Sequence, residues 1–308
     1  MRALVTGGAG FVGTNLIKRL LKDGHKVISI DNYSTGKKEN EQDGCEYYDR
    51  DLSDCKWWAL WNTCECDITC DCQIQSVDII FHLAALARIA PSFEKPVDTF
   101  KSGPMATINL LEWARHWETP VIYAGSSSVT GDVYANPYTF TKWQNEHLLN
   151  LYNKIYQLPT SICRFYNVYG EHQATEGAYC NVLGIFERQF NEGRQLTITG
   201  DGEQRRDFTY VGDIVDGLIK CGEAHLDVWG NHDVNGQSFE LGNGKNYSIN
   251  ELCNAFGEDY PTKYIDARPG EMKETLNTDT KAQDVLGWKP SGDIIKFIEE
   301  NYVVCKTN

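Results

Sequence analysis

The sequence has no surplus of positive charge: 29 Lys and Arg stand against 43 Asp and Glu, for a formal net charge of −14. That balance argues against DNA or RNA as the main partner, because nucleic acid is held by neutralising its phosphates. A small anionic ligand stays compatible with it, since a few local arginines can hold one. No apolar run reaches the roughly 18–20 residues that span a bilayer, so no membrane partner is expected. The first residues, MRALVTGGAGFVG, have neither the long apolar stretch nor the small-residue cleavage site of a signal peptide, and a cytoplasmic protein is expected. Internal repeats, low-complexity tracts and a clear linker are also lacking. The eleven cysteines are an odd number in a long chain without an export signal, and they read as mostly free thiols.

What is present is an ordinary globular balance, with 41% hydrophobic and 23% charged residues, which excludes a disordered chain. At 308 residues the chain can bury a substantial core as one large domain or two smaller ones. The first half alternates short apolar runs with helical patterns. Strands are predicted at Arg2–Thr6, Lys26–Ile30, Asp78–His82, Val121–Ala124 and Thr160–Phe165. Helices are predicted at Phe11–Lys22, Met105–Trp117 and Tyr138–Tyr156. Alternating β and α with short connections implies an α/β fold, a doubly wound parallel sheet of Rossmann type covered by helices on both faces. After about Asn167 the pattern becomes less regular. Helices at Asn181–Gly193, Gly212–Cys221, Asn250–Phe256 and Asp293–Cys305 alternate with short strands and Gly-rich turns. The expected organisation is a nucleotide-binding domain over residues 1–166, with some later segments packing back on it, and a smaller α/β lobe over 167–308.

The turn after the first strand reads Thr6-Gly7-Gly8-Ala9-Gly10-Phe11-Val12-Gly13. Gly7, Gly10 and Gly13 follow a strand and open a helix, where glycines let the backbone turn tightly and approach a pyrophosphate held by the helix N-terminus. Asp31 ends the second strand about 20 residues on, where a carboxylate accepts both ribose hydroxyls of NAD and repels a 2′-phosphate. Together these features predict NAD rather than NADP. Lys37 and Lys38 read as a solvated face.

Tyr138 and Lys142 stand four residues apart, on one face of a helix. A cation within reach of a tyrosine stabilises the phenolate and makes a usable acid and base near neutral pH. Upstream, the strand at 121–124 ends in Gly125-Ser126-Ser127-Ser128, three hydroxyls at the C-terminal end of a central strand. A Ser-rich turn or helix cap is the alternative reading of that run, as a surface pair is for Tyr138 and Lys142.

TGGAGFVG, DN at 31–32, FHLAA at 81–85, GSSSVTG at 125–131, YTFTK at 138–142, RFYNVYG at 164–170, GDGEQRRDFTYVGD at 200–213 and ARPGE at 267–271 occur in this order. The series resembles the extended short-chain dehydrogenase/reductases that act on nucleotide sugars, closest to the UDP-glucose 4-epimerases, and it runs from residue 1 to about 290. The resemblance implies that Ser126 binds and polarises the sugar 4-hydroxyl. It makes Tyr138 the acid/base, and Lys142 its partner and a ligand of the nicotinamide ribose. The pyrophosphate would rest on Gly7, Gly10, Phe11, Val12 and Gly13. Asp31 and Asn32 would hold the adenosine ribose beside Ser34, Thr35 and Gly36, with Asp51 and Leu52 at the adenine. Leu83, Ala84, Ala85, Ala87 and Ser102 would line the cofactor cleft, and Tyr166 would face the nicotinamide. For the UDP-sugar it implies Asn167 at the diphosphate and sugar, Asn181 and Val182 near the nucleotide, and Thr197 to Thr199 at the uracil edge. It also places Arg206 and Arg268 as clamps on diphosphate and ribose, Glu271 on a ribose hydroxyl, and Thr275 as a size gate near the sugar C2.

The implied chemistry is 4-epimerisation. Tyr138 takes the 4-hydroxyl proton as C4 passes hydride to the nicotinamide, the 4-keto sugar turns over, and hydride and proton return on the other face. A dehydratase resembling the family pattern carries an Asp-Glu pair after the catalytic Ser or Thr, and decarboxylating relatives carry a glutamate in this turn. Here those positions are Ser127 and Ser128. A small Thr275 leaves room for an N-acetyl group, so the expected substrates are the UDP-glucose/UDP-galactose pair or its N-acetylated counterpart. Other nucleotide-sugar reactions and a non-catalytic NAD-binding scaffold are the alternatives. Arg88 reads as a surface residue, its other reading being recognition of a sugar carboxylate. The bland reading of Arg206 is a surface ion pair with Asp207.

Three departures stand out. Ser126 and Tyr138 are only twelve positions apart, which shortens the loop that normally covers the sugar. Lys101-Ser102-Gly103 replaces an asparagine expected near the cofactor, and Thr130 replaces an aromatic. Four thiols between Cys64 and Cys72 lack the spacing of common zinc sites and read as a reduced surface loop, so no metal is expected. Trp57, Trp58 and Trp61 read as a helix packing face. A homodimer is expected through the Met105 and Tyr138 helices, as the family often forms.

Overall fold

The computed structural model describes residues 1–54, 76–227, 234–267 and 272–303. The Cys64–Cys72 cluster, the tryptophans at 57, 58 and 61, and Arg268 and Glu271 lie outside them. The first half runs β1 (Arg2–Thr6), α1 (Phe11–Lys22), β2 (Lys26–Asp31), β3 (Cys45–Asp49), β4 (Ile79–His82), α2 (Ile89–Glu94), α3 (Pro96–Phe100), α4 (Ala106–Trp117), β5 (Val121–Ser126), α5 (Pro137–Tyr156) and β6 (Thr160–Phe165). It continues with β7 (Asn167–Tyr169), α6 (Val182–Asn191), β8 (Leu196–Thr199), β9 (Arg205–Tyr210), α7 (Val211–Leu226), β10 (Gln237–Leu241), β11 (Asn246–Ser248), α8 (Ile249–Ala255), β12 (Thr262–Ile265), α9 (Lys281–Leu286) and α10 (Ile294–Ile298). The helix expected over Asp293–Cys305 is thus short, and it passes into a π-helical turn at Glu299–Val303.

Seven parallel strands form the main sheet in the order β10-β6-β5-β4-β1-β2-β3. The period-2 pattern of β1 explains its place at the centre. Ala3 and Val5 point into a core with α1 and α7 residues such as Leu16, Ile17, Ile214 and Leu218, whereas Leu4 points to the opposite core with Leu110, Leu111 and Leu149 of α4 and α5. Both faces are covered, so the central strands read as continuous apolar runs. β3 escaped the sequence reading because Cys-Glu-Tyr-Tyr-Asp is a polar, half-exposed edge strand. β10 lies late in the chain yet pairs with β6, because Phe239 and Leu241 complete the first core.

Outside this sheet, β11-β9-β7 and β12-β8 make two smaller sheets over a separate cluster including Phe186, Phe190, Leu196, Ile198, Phe208, Leu252 and Phe256. Asp207 is fully buried in this region, and its carboxylate accepts from the backbone N–H groups of Asn243, Gly244 and Asn277 at 2.7, 2.9 and 3.0 Å. It is a loop anchor facing the interior, which removes it from the surface pair considered with Arg206. Among the described residues, no helix is long and apolar enough to cross a membrane.

Candidate active site

The strand order reverses at β1, whose neighbours β2 and β4 lie on opposite sides. Ligands of open α/β sheets sit outside the strand C-termini at such a point. A cleft of about 530 Å³ opens there and continues toward the smaller sheets. At its floor Gly7 has φ +72°, in the left-handed region, and a Cβ there would lie 2.9 Å from the Ala84 backbone. A Cβ on Gly13 would lie 2.2 Å from the Gly7 carbonyl oxygen, so helix and turn meet backbone to backbone. Gly10 caps α1 without a side-chain hydrogen bond, and the first turn of α1 holds no acid. The N–H groups at this helix start are therefore open to a pyrophosphate.

Asp31, only 7% exposed, accepts from the N–H of Ala9 at 2.9 Å and of Tyr33 at 2.8 Å, one on each carboxylate oxygen. Each oxygen keeps a lone pair for a ribose hydroxyl. Burial raises its pKa, opposed by those two N–H groups. Asn32 donates to Asp51 at 3.0 Å. Burial raises the Asp51 carboxyl, but the Ser53 hydroxyl and N–H together with Asn32 outweigh that and hold it below its ordinary value. These features fit a dinucleotide with a free 2′-hydroxyl. Gly7, Gly10, Phe11, Val12, Gly13, Asp31, Asn32, Ser34, Thr35, Asp51, Leu52, Leu83, Ala84, Ala85, Ala87 and Ser102 all line the cleft. Gly36 does not. Its Cα packs on Ala9, where a Cβ would come within 2.9 Å of the backbone, so it supports the loop from behind. The Ser102 hydroxyl donates to Thr99 O at 3.3 Å and accepts from Leu86 N at 3.4 Å, tying the π-helical turn at 101–105 to the segment after β4.

The central walls carry Ser126, Tyr138, Lys142 and Tyr166. Asn136 caps α5 by accepting from Thr139 N at 2.8 Å, and Pro137 begins the helix, which sets Tyr138 in its first turn. Burial raises the Tyr138 phenol, while the Ser126 hydroxyl and the Arg88 guanidinium pull it down. Lys142 donates to Ala124 O at 2.7 Å and lies 4.8 Å above the Tyr123 ring. Burial pushes it down to about 8 against the pull of Glu146. The charge that favours the ionised phenol here comes from Arg88, a residue the helix spacing does not point to. Arg88 is not a surface residue: it lines the cleft, and its Nε donates to Tyr179 O at 2.9 Å. The sequence reading put it at the surface because the partner that draws it in lies 91 residues away. Arg50, Tyr179, Cys180 and Met272 also line the cleft without having been singled out.

On the far side, Asn167 donates to Asp207 O at 2.9 Å and to the Thr275 hydroxyl at 3.2 Å. Asn181 caps α6 by accepting from Gly184 N at 2.6 Å and donates to Val168 O and Gln173, so its side chain is occupied in placing the helix. Thr197 and Thr199 share one face of β8, and with Val182, Arg206 and Thr275 they line the cleft. Arg206 Nη1 donates to the carbonyls of Arg205 and Lys273 at 2.9 and 3.2 Å.

An open sheet with a switch-point cleft, a glycine cradle and a Ser-Tyr-Lys wall defines an NAD-binding α/β enzyme class. Residues 3–235 match the NAD dependent epimerase/dehydratase family. The UDP-glucose 4-epimerase of Mycolicibacterium smegmatis is 32% identical, over 94% of this chain and 94% of that protein. The structure of UDP-glucose 4-epimerase from Thermotoga maritima with UDP-glucose is 26% identical, with a TM-score of 0.84 over 100% of this chain and 99% of that one. That of UDP-N-acetylglucosamine 4-epimerase from Methanobrevibacter ruminantium, in complex with UDP-N-acetylmuramic acid, is 28% identical, with a TM-score of 0.83 over 99% and 98%. The chain belongs to the NAD-dependent epimerase/dehydratase family, and its cofactor is NAD.

Proposed function

We propose that this chain is a UDP-sugar 4-epimerase acting on UDP-glucose and UDP-galactose or on the N-acetylated pair. The observation that carries the reading is one continuous cleft lined at one end by Gly7, Gly10 and Asp31, in the middle by Ser126, Tyr138 and Lys142, and at the other end by Thr197, Thr199 and Arg206. NAD, when bound, supplies reversible hydride acceptance at its nicotinamide. The Gly7–Gly13 turn and Asp31 orient it, and Lys142, braced on Ala124 O, takes a ribose hydroxyl. Tyr138 accepts and returns the proton of the sugar 4-hydroxyl, and Ser126 polarises that hydroxyl. Ser127 and Ser128 carry no acid that would drive loss of water or a carboxyl group. Asn167 and Arg206 hold the diphosphate end while the sugar turns, with Arg268 and Glu271 assigned to the ribose by the family pattern. Thr275, whose hydroxyl accepts from Asn167, is a small wall beside the sugar and supports N-acetylated substrates.

We further propose a homodimer, the occupant expected on the outer face of α5. Leu151 and Ile155 there are 50% and 64% exposed, and the exposed Val97 and Met105 lie on segments that contact α5.

The deciding experiment is proton NMR with mass spectrometry of the protein incubated separately with UDP-glucose, UDP-N-acetylglucosamine and UDP-glucuronate. A new anomeric signal at unchanged mass with either of the first two is expected. Loss of water or carbon dioxide, or turnover of the uronate alone, would replace the reading with a dehydratase, a decarboxylase or a uronate epimerase. Bound NAD with no conversion would favour the scaffold.

A further inference from the structure

Arg88 stands at the reacting end of the cleft without a role in the reading above. It precedes α2 as its cap residue and lines the cleft with Tyr138 and Ser126. Its Nε donates to Tyr179 O at 2.9 Å, which fixes the guanidinium plane and leaves the two Nη groups for other partners. Among the described residues, no carboxylate forms an ion pair with it. A guanidinium drawn into a cleft without a carboxylate is costly and favours an anion beside it. Arg88 is also held in register with the phenol. Buried Ser92 of α2 donates to Ile89 O at 2.6 Å and accepts from the N–H of Tyr138 at 3.2 Å, so the segment that starts at Arg88 docks directly on the residue bearing the phenol.

We propose that Arg88 is a positioning residue for the proton step, its Tyr179-braced guanidinium serving as the counter-charge of the Tyr138 phenolate. The proposal rests on Tyr138 being the acid/base of the reaction. The groups that face Tyr138 can be set side by side. From β5 come Ser126 and the buried phenol of Tyr123, and from the start of α2 comes Arg88. One turn further along α5 stands Lys142, whose ammonium is hydrogen-bonded to Ala124 O and drawn toward Glu146. His82 of β4 lies behind Lys142 and is held neutral by burial. The thiol of Cys180, on the segment before α6, faces Arg88 from the other side, and burial keeps it protonated. Arg88 is thus the cation in this set that lines the cleft with Tyr138, sits on the segment docked to it through Ser92 and, among the described residues, has no carboxylate partner. Its charge opposes the burial that raises the phenol. It does so by favouring the ionised form, as any opposite charge close by does.

The test is a phenolate absorbance titration of the NAD-loaded protein, read as the difference between a background with Tyr138 and the same background carrying Tyr138→Phe. In Arg88→Met the Tyr138 titration is expected to move up by about one unit relative to the unsubstituted protein. The kcat on the UDP-sugar should fall about tenfold at neutral pH, recover at alkaline pH, and leave KM little changed. Arg88→Lys restores the charge but not the brace, and should return the titration most of the way. It also controls for any folding defect in the Met variant. An unmoved titration in Arg88→Met overturns the proposal. So does a KM that rises at every pH with an unchanged pH profile, which would make Arg88 a ligand of an anionic group on the substrate. If no UDP-sugar is turned over, the epimerase reading fails, while the titration still reports whether Arg88 and Tyr138 are coupled.

Discussion

Beneath Lys142 lies a largely buried charge network that supports the wall carrying Ser126, Tyr138 and Lys142. Arg164 makes a two-pronged pair with Glu146, Nε to Oε1 at 3.0 Å and Nη2 to Oε2 at 2.7 Å, and reaches Glu240 through Nη1 at 2.8 Å. Glu146 follows Lys142 by one helical turn and backs onto Gly125, the residue between Ala124 and Ser126. Removing one partner of a buried pair leaves a charge uncompensated, so Glu146→Gln is expected to lower stability by about 1–3 kcal/mol in a denaturant titration. It also removes the carboxylate that opposes the burial of Lys142. That ammonium should then lose its proton below its present value of about 8, and NAD retention on the alkaline side should fall off at lower pH than in the unsubstituted protein. At the same scale, Tyr138→Phe should keep bound NAD and lose roughly 10²–10⁴ in turnover, measured by the NMR assay. The Tyr138–Lys142 spacing was legible because both residues lie on one helix. Arg88 was not, because only folding brings it beside Tyr138 and Tyr179.

The element most tightly specified by glycine is the β1–α1 turn, assigned above to the NAD pyrophosphate. Its three glycines are required for different reasons: Gly7 for a positive φ, Gly13 for the close approach of its Cα to the Gly7 carbonyl, and Gly10 for an open helix cap. Gly13→Ala is therefore expected to overpack the turn, at a cost of about 1–3 kcal/mol, and to yield protein that releases its NAD on gel filtration, as read by absorbance of the denatured eluate. Strand and helix spans here were readable from apolar periodicity to within a residue or so, since both faces of the sheet are covered and α1 carries one apolar stripe. The elements that escaped are the polar edge strand β3, the two short helices after β4, and β10, whose place beside β6 depends on a contact some 75 residues away along the chain.

Across the whole molecule, two histidines, one fully buried and one half-buried, couple stability to pH. His82 is 1% exposed, with Nδ1 2.8 Å from the Thr6 hydroxyl and Nε2 3.0 Å from that of Thr107, and burial pushes it down to about 3. His225, 2.8 Å from the Ser161 hydroxyl, is pushed down to about 4 by burial. In the unfolded chain both titrate near about 6.5, so the unfolded state binds more protons below that pH. Their contribution is complete above about 6.5 and is lost as pH falls toward 3, at up to about 1.4 kcal/mol per pH unit for each group. Denaturant midpoints measured from pH 7 to 4 should fall steeply, and His82→Gln should flatten the slope even if it lowers the value at pH 7. The apolar face of α5 predicts a dimer by light scattering. Leu151→Glu should shift that dimer toward monomer at micromolar concentration while leaving the thermal midpoint of the isolated chain nearly unchanged, since Leu151 is half-exposed.

The amino-acid sequence by itself determined the parallel sheet, the glycine cradle, the carboxylate at the end of β2 and the Tyr–Lys wall. Each of these is written in local spacing, an apolar period or a turn that only glycine can make. Tertiary structure alone decided that Arg88 leaves the surface for the cleft, that Asp207 turns inward to three backbone N–H groups, that Asn181 is spent capping α6, and that Gly36 supports the cofactor loop from behind. Those four outcomes depend on partners far apart in the chain or on how a loop settles against its neighbours, and they are settled by which burial leaves the fewest polar groups unpaired.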